Sequence, residues 1–304
     1  VASNVATLTC RNKGTVGNGI RIALDPDTDI RPGGVSVAIA VGTAGATDPT
    51  MTTTIAAMSD IRFDFVAVGL DGFADDVHTE IDDRWDYDRM LHGYVCTCAA
   101  GDSYSDLYTE QATTHIPTQK YMLRGGIEEG CYTPPFEVAA WVAAEALRIT
   151  DNDATAGMDP KGRAGVGTKA ADAGSRFTDL QRNNLLRVGY TTFHESGGRL
   201  VIDRCVGVRY QDDNGARTEG AYDEAPKVWL APKALRRMVS GLSSLYGDVR
   251  IIDDTSGPVP ATCATPSMIH DSAVSIYSGM ARLGWVEDVE WFDENLSVAK
   301  STEV

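Results

Sequence analysis

Residues 62–99 read RFDFVAVGLDGFADDVHTEIDDRWDYDRMLHGYVCTCA, and a change of period inside this stretch sets the fold class. Arg62 to Leu70 is an apolar run of strand length, carried by Phe and Val, side chains that suit a pleated, half-buried surface. From Phe73 the apolar positions recur every fourth residue, at Val77, Ile81 and Trp85, which is the spacing of one helix face. The other face carries Asp75, Asp76, Glu80, Asp82 and Asp83 and reads as a solvated acidic stripe. Gly93 to Ala99 is a second apolar run. Strand, helix and strand in close succession form a βαβ unit, whose crossover makes the two strands parallel.

The alternation continues toward the C-terminus. A helix is expected near Tyr104 to Thr113, then a strand over Lys120 to Arg124. Pro134-Pro135 opens a long Ala-rich helix over Phe136 to Ile149. The pattern predicts an α/β protein with a mainly parallel sheet flanked by helices. Thr150 to Ser175, rich in Gly, Ala and Asp, reads as a long surface loop. Thr178 and Gln181 have capping-box spacing ahead of a helix carrying Leu180, Leu185 and Leu186. Thr191 to His194 and Arg199 to Asp203 flank Glu195-Ser196-Gly197-Gly198, a hairpin signal, with the second strand continuing to about Tyr210.

The C-terminal part is mainly helical. Pro232 reads as a first helical residue and Gly247 as a stop, with Leu235, Met238, Val239, Leu242 and Leu245 as one apolar stripe. A second helix opens at Thr265-Pro266, aligns Ile269, Ala273, Ile276, Tyr277 and Met280, and ends at Gly284. At the N-terminus, Val5 to Cys10, Gly19 to Leu24 and Val35 to Val41 are β-prone runs separated by turn residues. The expected organisation is an N-terminal β region over 1–45, an α/β core over 46–220 and a mainly helical region over 221–304.

Composition narrows the function classes. The chain has 304 residues, 43% hydrophobic and 23% charged, as in ordinary globular proteins. Its net charge of −16 opposes nucleic-acid phosphate and anionic lipid, whose non-specific affinity depends on clustered Lys and Arg. Neither nucleic acid nor membrane is therefore an expected partner, and self-assembly has to use specific contacts. No apolar run approaches the roughly 18 residues that cross a bilayer. The start, Val1-Ala2-Ser3-Asn4, has no initiator Met and no signal-peptide pattern, and reads as a fragment or processed chain. Cys10, Cys96, Cys98, Cys131, Cys205 and Cys263 are too sparse for a disulfide scaffold and read as reduced, mostly buried thiols in a cytoplasm.

Four stretches imitate chemical motifs. Gly162 to Lys169 resembles a phosphate-binding loop, but Thr168 precedes Lys169 where Lys must come first. Asp25-Pro26-Asp27-Thr28-Asp29 imitates a calcium loop, but Ile30 and Ser36 stand where Gly and Glu are needed. Cys96 and Cys98 share a strand face with no zinc-site spacing or companion ligands. His92, Asp254 and Ser267 are the best triad candidates for an α/β-class hydrolase, the alternative function. Their order is His, Asp, Ser, whereas subtilisin-type proteases use Asp, His, Ser. No cofactor and no metal site is expected. One basic cluster, Lys233, Arg236 and Arg237 at helical spacing, is a candidate partner-binding site against the solvated-face alternative.

The joint pattern resembles the Mu-like contractile tail sheath family of bacteriophages. The carrying segments are Asn12-Lys13-Gly14-Thr15-Val16-Gly17-Asn18-Gly19-Ile20-Arg21, Thr133-Pro134-Pro135-Phe136-Glu137 with its Ala-rich helix, and Leu180 to Leu186 through Gly189-Tyr190 to Arg204. Leu283 to Glu287 and Phe292 to Leu296 resemble the family's terminal region, and Gln181 stands where its pattern has Glu. The resemblance implies a subtilisin-like α/β core without the protease triad. It implies a structural, non-enzymatic subunit that polymerises around a tail tube and contracts during DNA delivery. The implied partners are other sheath subunits, the tube protein, and baseplate and tail terminator proteins. The implied location is the virion tail, assembled in the bacterial host cytoplasm. Family members join neighbours through terminal arms that add strands to a neighbour's sheet. This chain, starting and stopping inside that pattern, is expected to be monomeric.

Overall fold

The computed structural model describes residues 5–20, 22, 24, 32–40, 42–99, 103–113, 119–152, 160–209, 224–254 and 257–300. The chain forms two compact units: Val1–Glu145 with Pro160–Ala225, and Ala146–Asp159 with Pro226–Val304.

The first unit is built on the alternation read from residues 62–99. After a short helix α1 (Thr52–Met58) come β1 (Phe65–Ala67), α2 (Ala74–Asp83), β2 (Tyr94–Cys98), α3 (Tyr104–Thr113) and β3 (Met122–Gly126). There follow α4 (Pro135–Asn152), α5 (Asp179–Arg187), β4 (Tyr190–Ser196) and β5 (Arg199–Arg204). The five strands lie in the order β1-β2-β3-β4-β5. The first four are parallel, and β5 returns antiparallel to β4 as the hairpin expected at Gly197-Gly198. The structure is thus α/β with a mixed, mostly parallel sheet.

Both faces of the sheet are covered, which is why β2 and β3 are buried at every residue without alternation. On one face Tyr190 packs with Leu107 of α3, Leu185 of α5, Phe177 and Ala99. On the other, Phe193 meets Trp141 of α4 with ring centroids 5.9 Å apart. Gly125 lies between Cys98 and Phe193. A Cβ there would sit 2.5 Å from the Cys98 Sγ and 3.1 Å from the Phe193 ring. The capping box of α5 is complete: Thr178 Oγ1 accepts from the Gln181 N–H, and Gln181 Oε1 accepts from the Thr178 N–H at 2.8 Å.

Three sequence expectations are corrected in this unit. Val5–Cys10 and residues 35–40 form no strand, so the described part of the N-terminal region is not β; Val5 and Leu8 are 75% and 74% exposed. Arg21, Ala23, Val41 and the calcium-like loop at Asp25–Asp29 lie outside the described residues. Apolar alternation supplies a face for packing but not the neighbouring backbone that a strand requires. Instead, Thr15–Gly19 forms a 3₁₀ turn clasped by residues 45–48. Thr15 Oγ1 donates to Asp48 at 2.6 Å, and Asn18 exchanges bonds of 2.9 and 2.8 Å with the Gly45 backbone.

Secondly, part of the Thr150–Ser175 stretch is not a free loop. Gly162 N donates to Ile202 O, Gly165 N to Leu200 O, and Ile202 N to Arg163 O, at 2.8–3.0 Å. The segment covers the outer edge of β5, whose backbone groups would otherwise lack partners. Thirdly, the second hairpin strand ends at Arg204 rather than near Tyr210, followed by an isolated bridge from Val206 to Glu224.

The second unit is mainly helical, with α6 (Ala225–Tyr246) beginning at its boundary, then α7 (Pro266–Arg282) and α8 (Val289–Asn295). β6 (Arg250–Ile251) and β7 (Cys263–Ala264) pair in parallel. Pro232 lies inside α6 and does not start it. Val228, Trp229 and Leu230, all buried, bring the preceding turns into the fold, and their burial outweighs the backbone bond lost at proline. The helix stops before Gly247, as expected. Thr265 caps α7 with Pro266 in its first turn, and Gly284 follows its end with φ 68°. Gly241 lets α6 approach α7, since a Cβ there would lie 2.7 Å from Ile276. Tyr277 stacks on Phe292 of α8 at 3.9 Å.

Candidate functional site

In a parallel α/β sheet, chemistry usually gathers at the carboxyl ends of the strands. Here that region holds Arg124 of β3, 1% exposed. Its Nε donates to Asp71 Oδ1 at 2.8 Å, its Nη2 to Asp71 Oδ2 and to Glu110 Oε1, and its Nη1 to the Tyr190 hydroxyl at 2.7 Å. Asp71 stands just after β1, Glu110 on α3 and Tyr190 at the start of β4. Thr97 of β2 also donates to Asp71, at 3.3 Å. Burial lowers the guanidinium pKa to about 10, which leaves it charged at neutral pH. The group ties β1, β2, β3, β4 and α3 together, and its donors are consumed by protein groups. This is a structural latch, not an open reaction centre.

A second polar group sits beside the hairpin. Asp203 of β5 accepts from Arg182 Nε at 3.0 Å and from Thr192 Oγ1 at 3.1 Å, and meets His194 Nδ1 at 2.6 Å. Arg176 Nη1 donates to Glu195 at 2.7 Å. Glu128, 2% exposed, has its carboxyl pKa raised by burial, against the opposing influence of the Phe177 N–H and of Arg182 and Arg176.

Of the triad candidates, Asp254 and Ser267 pair within the second unit. Ser267 Oγ donates to Asp254 Oδ1 at 2.7 Å, and the Ser267 N–H donates to the same oxygen at 3.2 Å. These bonds hold the Asp254 carboxyl below its ordinary range and use the serine hydroxyl as a donor to a helix-terminal carboxylate. His92 belongs to the other unit, where it is buried with its ring 4.7 Å from Trp85. Cys96 and Cys98 do share a strand face and are fully buried. Burial pushes the Cys96 thiol up to about 12 and that of Cys98 higher still, far from a thiolate ligand's range. Thr168 of the phosphate-loop imitation donates to Gly165 O and accepts from Leu200 N, at 2.8 and 3.1 Å.

The basic cluster is only partly a surface feature. Lys233 Nζ donates to Thr150 O at 2.8 Å, among the last carbonyls of α4, and lies 4.7 Å over the Trp285 ring. An ammonium at a helix C-terminus satisfies orphan carbonyls and complements the helix dipole. Arg236 is half-buried and Arg237 exposed. The Arg124 group was missed by the sequence reading, although an Arg within the buried run Met122–Gly126 and an Asp just after β1 were visible signals.

The amino-acid sequence is 20% identical over 312 residues to the Mu-like prophage FluMu tail sheath protein of Haemophilus influenzae, taking in 99% of this chain and 61% of the relative. The chain is thus similar to a phage tail sheath protein along nearly its whole length. The sheath fold is seen again in two solved structures. One is the sheath tail protein of Desulfitobacterium hafniense, with TM-score 0.54 and 12% identity over 84% of this chain and 57% of that one. The other is the sheath tail protein of Listeria innocua, with TM-score 0.53 and 11% identity over 80% and 52%. The chain therefore spans a little over half to about three fifths of the length of these sheath relatives. No protein-family model matches the sequence.

Proposed function

We propose that this chain is the body of a contractile tail sheath subunit that polymerises around a tail tube and contracts during DNA delivery. The alignment with a tail sheath protein across nearly the whole chain carries this reading, and the α/β fold shared with two sheath tail proteins supports it. Its partners would be other sheath subunits, the tube protein, and baseplate and terminator proteins, in a virion tail assembled in the host cytoplasm. An open helical array needs heterologous contacts that do not close into a dimer. A subunit with a rigid α/β body suits it, because work passes through surfaces between copies while each body moves as a unit. The extended array would be a kinetically trapped state rather than the stable one.

Electron microscopy of the protein expressed together with a tail tube protein tests the reading. Hollow cylinders in long and short forms are expected. Dispersed particles under all conditions, together with turnover of a small-molecule ester or peptide, would refute it.

A further inference from the structure

The loop after β3 holds a carboxylate for which the fold supplies too few donors. Glu128, two residues past β3, is 2% exposed. The Phe177 N–H bonds its carboxyl, but Oε1 is buried and accepts no hydrogen bond among the described residues. An orphaned buried oxygen costs free energy, and more when the group is charged. The cations that face Glu128 are spent elsewhere. Arg182 of α5 puts Nε on Asp203 at 3.0 Å, Nη1 on Phe177 O at 2.7 Å and Nη2 on Asp179. Arg176 puts Nη1 on Glu195 at 2.7 Å and Nε on Ala171 O at 2.9 Å. Asp203 of β5 adds a like charge and is itself 2.6 Å from His194 of β4. The Cys131 thiol faces the carboxyl from its own loop. Burial raises the Glu128 pKa, in the direction this geometry demands.

Glu128 also sits at the base of the contacts that hold the edge cover of β5. Its loop grips the covering strip: Lys169 N donates to Thr133 Oγ1 at 2.7 Å, Thr133 N to Lys169 O at 3.2 Å, and the Tyr132 hydroxyl to Asp172 at 3.0 Å. Phe177, bonded to the carboxyl itself, closes the strip. The same strip lies on β5 through Gly162, Arg163, Gly165 and Thr168. At its outer turn Val166 is 90% exposed, so hydrogen bonds rather than apolar burial hold that part down.

We propose that Glu128 is a proton-operated clip: protonated, it keeps residues 160–178 on the edge of β5; ionised, it leaves its buried position, releases Phe177 and lets the strip lift. The closed state binds the proton more tightly than the open one. Opening is therefore least frequent below the ordinary glutamate range, grows as pH rises toward the raised closed-state value, and levels off above it. Each pKa unit between the two states is worth up to about tenfold in the opening equilibrium. An uncovered edge presents unpaired N–H and C=O groups to any strand that can pair with it, so the clip makes the availability of β5 follow pH. The inference stands apart from the sheath reading.

Hydrogen exchange of the full chain, read by mass spectrometry from about pH 4 to 8 and corrected for the intrinsic chemical rate, tests it. Protection in peptides spanning 160–178 and 199–204 should fall by at least about tenfold across that range, while β2 keeps its protection. Glu128→Gln has no charge to gain and should stay protected throughout. His194→Gln should keep the wild-type pH dependence, because the proton that matters is on Glu128. A carbon-13 titration of the Glu128 carboxyl in the wild type should have its midpoint where the exchange profile levels off, which keeps the test independent of how well the variants fold. A wild-type profile flat in pH, a pH dependence that survives in Glu128→Gln or vanishes in His194→Gln, or an equal loss of protection in β2 would each overturn the inference.

Discussion

Arg124 concentrates the stability argument at the residue scale. Its four hydrogen-bonded contacts cross three strands and a helix, and removing one side of a buried ion pair leaves the other charge uncompensated. Arg124→Met is therefore expected to cost about 3–5 kcal/mol of unfolding free energy, measured by urea denaturation. Adding Asp71→Leu should recover part of that loss. Glu128 works in the opposite direction. Its folded-state pKa is raised by burial, so the folded chain binds the proton more tightly than the unfolded one. The resulting contribution is most favourable below the ordinary glutamate range and is lost as pH rises through the raised folded value. Glu128→Gln should raise the melting temperature at neutral pH and lose that advantage on acidification, a crossing visible in thermal melts from pH 4 to 8. Neither residue was distinguishable from a surface charge in the sequence, because saturation by partners exists only once distant segments meet.

At the scale of elements, local chemistry and packing can be separated. The capping box of α5 is a local device, and Thr178→Ala should cost about 1 kcal/mol. Gly241 is a packing device, since its missing side chain is what admits Ile276. Gly241→Leu should cost about 1–3 kcal/mol by overpacking, whereas Ser240→Leu, one residue away and exposed, should be close to neutral. Equilibrium denaturation of the three variants side by side checks both. Helix starts and stops with their own side-chain chemistry, such as Thr178, Thr265-Pro266, Gly247 and Gly284, were legible in the sequence. Pro232 was misread because a proline inside a helix and one at its start look alike until the burial of Val228, Trp229 and Leu230 is known. The edge cover at Gly162–Gly165 was misread for a related reason: its order comes from β5, far away in sequence.

For the whole molecule, stability resides where apolar surface is removed from water. Residues 5–50, as far as they are described, are predominantly exposed, so deleting residues 1–50 should lower the unfolding free energy by less than about 1 kcal/mol. Calorimetry showing a large loss of melting enthalpy would disprove this. What the sequence determined by itself was the α/β class, the strand and helix succession from Arg62 to Arg204, the helical character of the last part and the family resemblance. These are encoded in period, caps and turn residues that act over a few positions. Only the tertiary structure decided which β-prone runs become strands, because ladder bonds need a second backbone. It also decided which charges are spent, as Lys233 is on the end of α4 and Arg124 is on Asp71 and Glu110. Whether a charge is free depends on what the folded chain brings within hydrogen-bond reach, and a linear pattern carries no such distance.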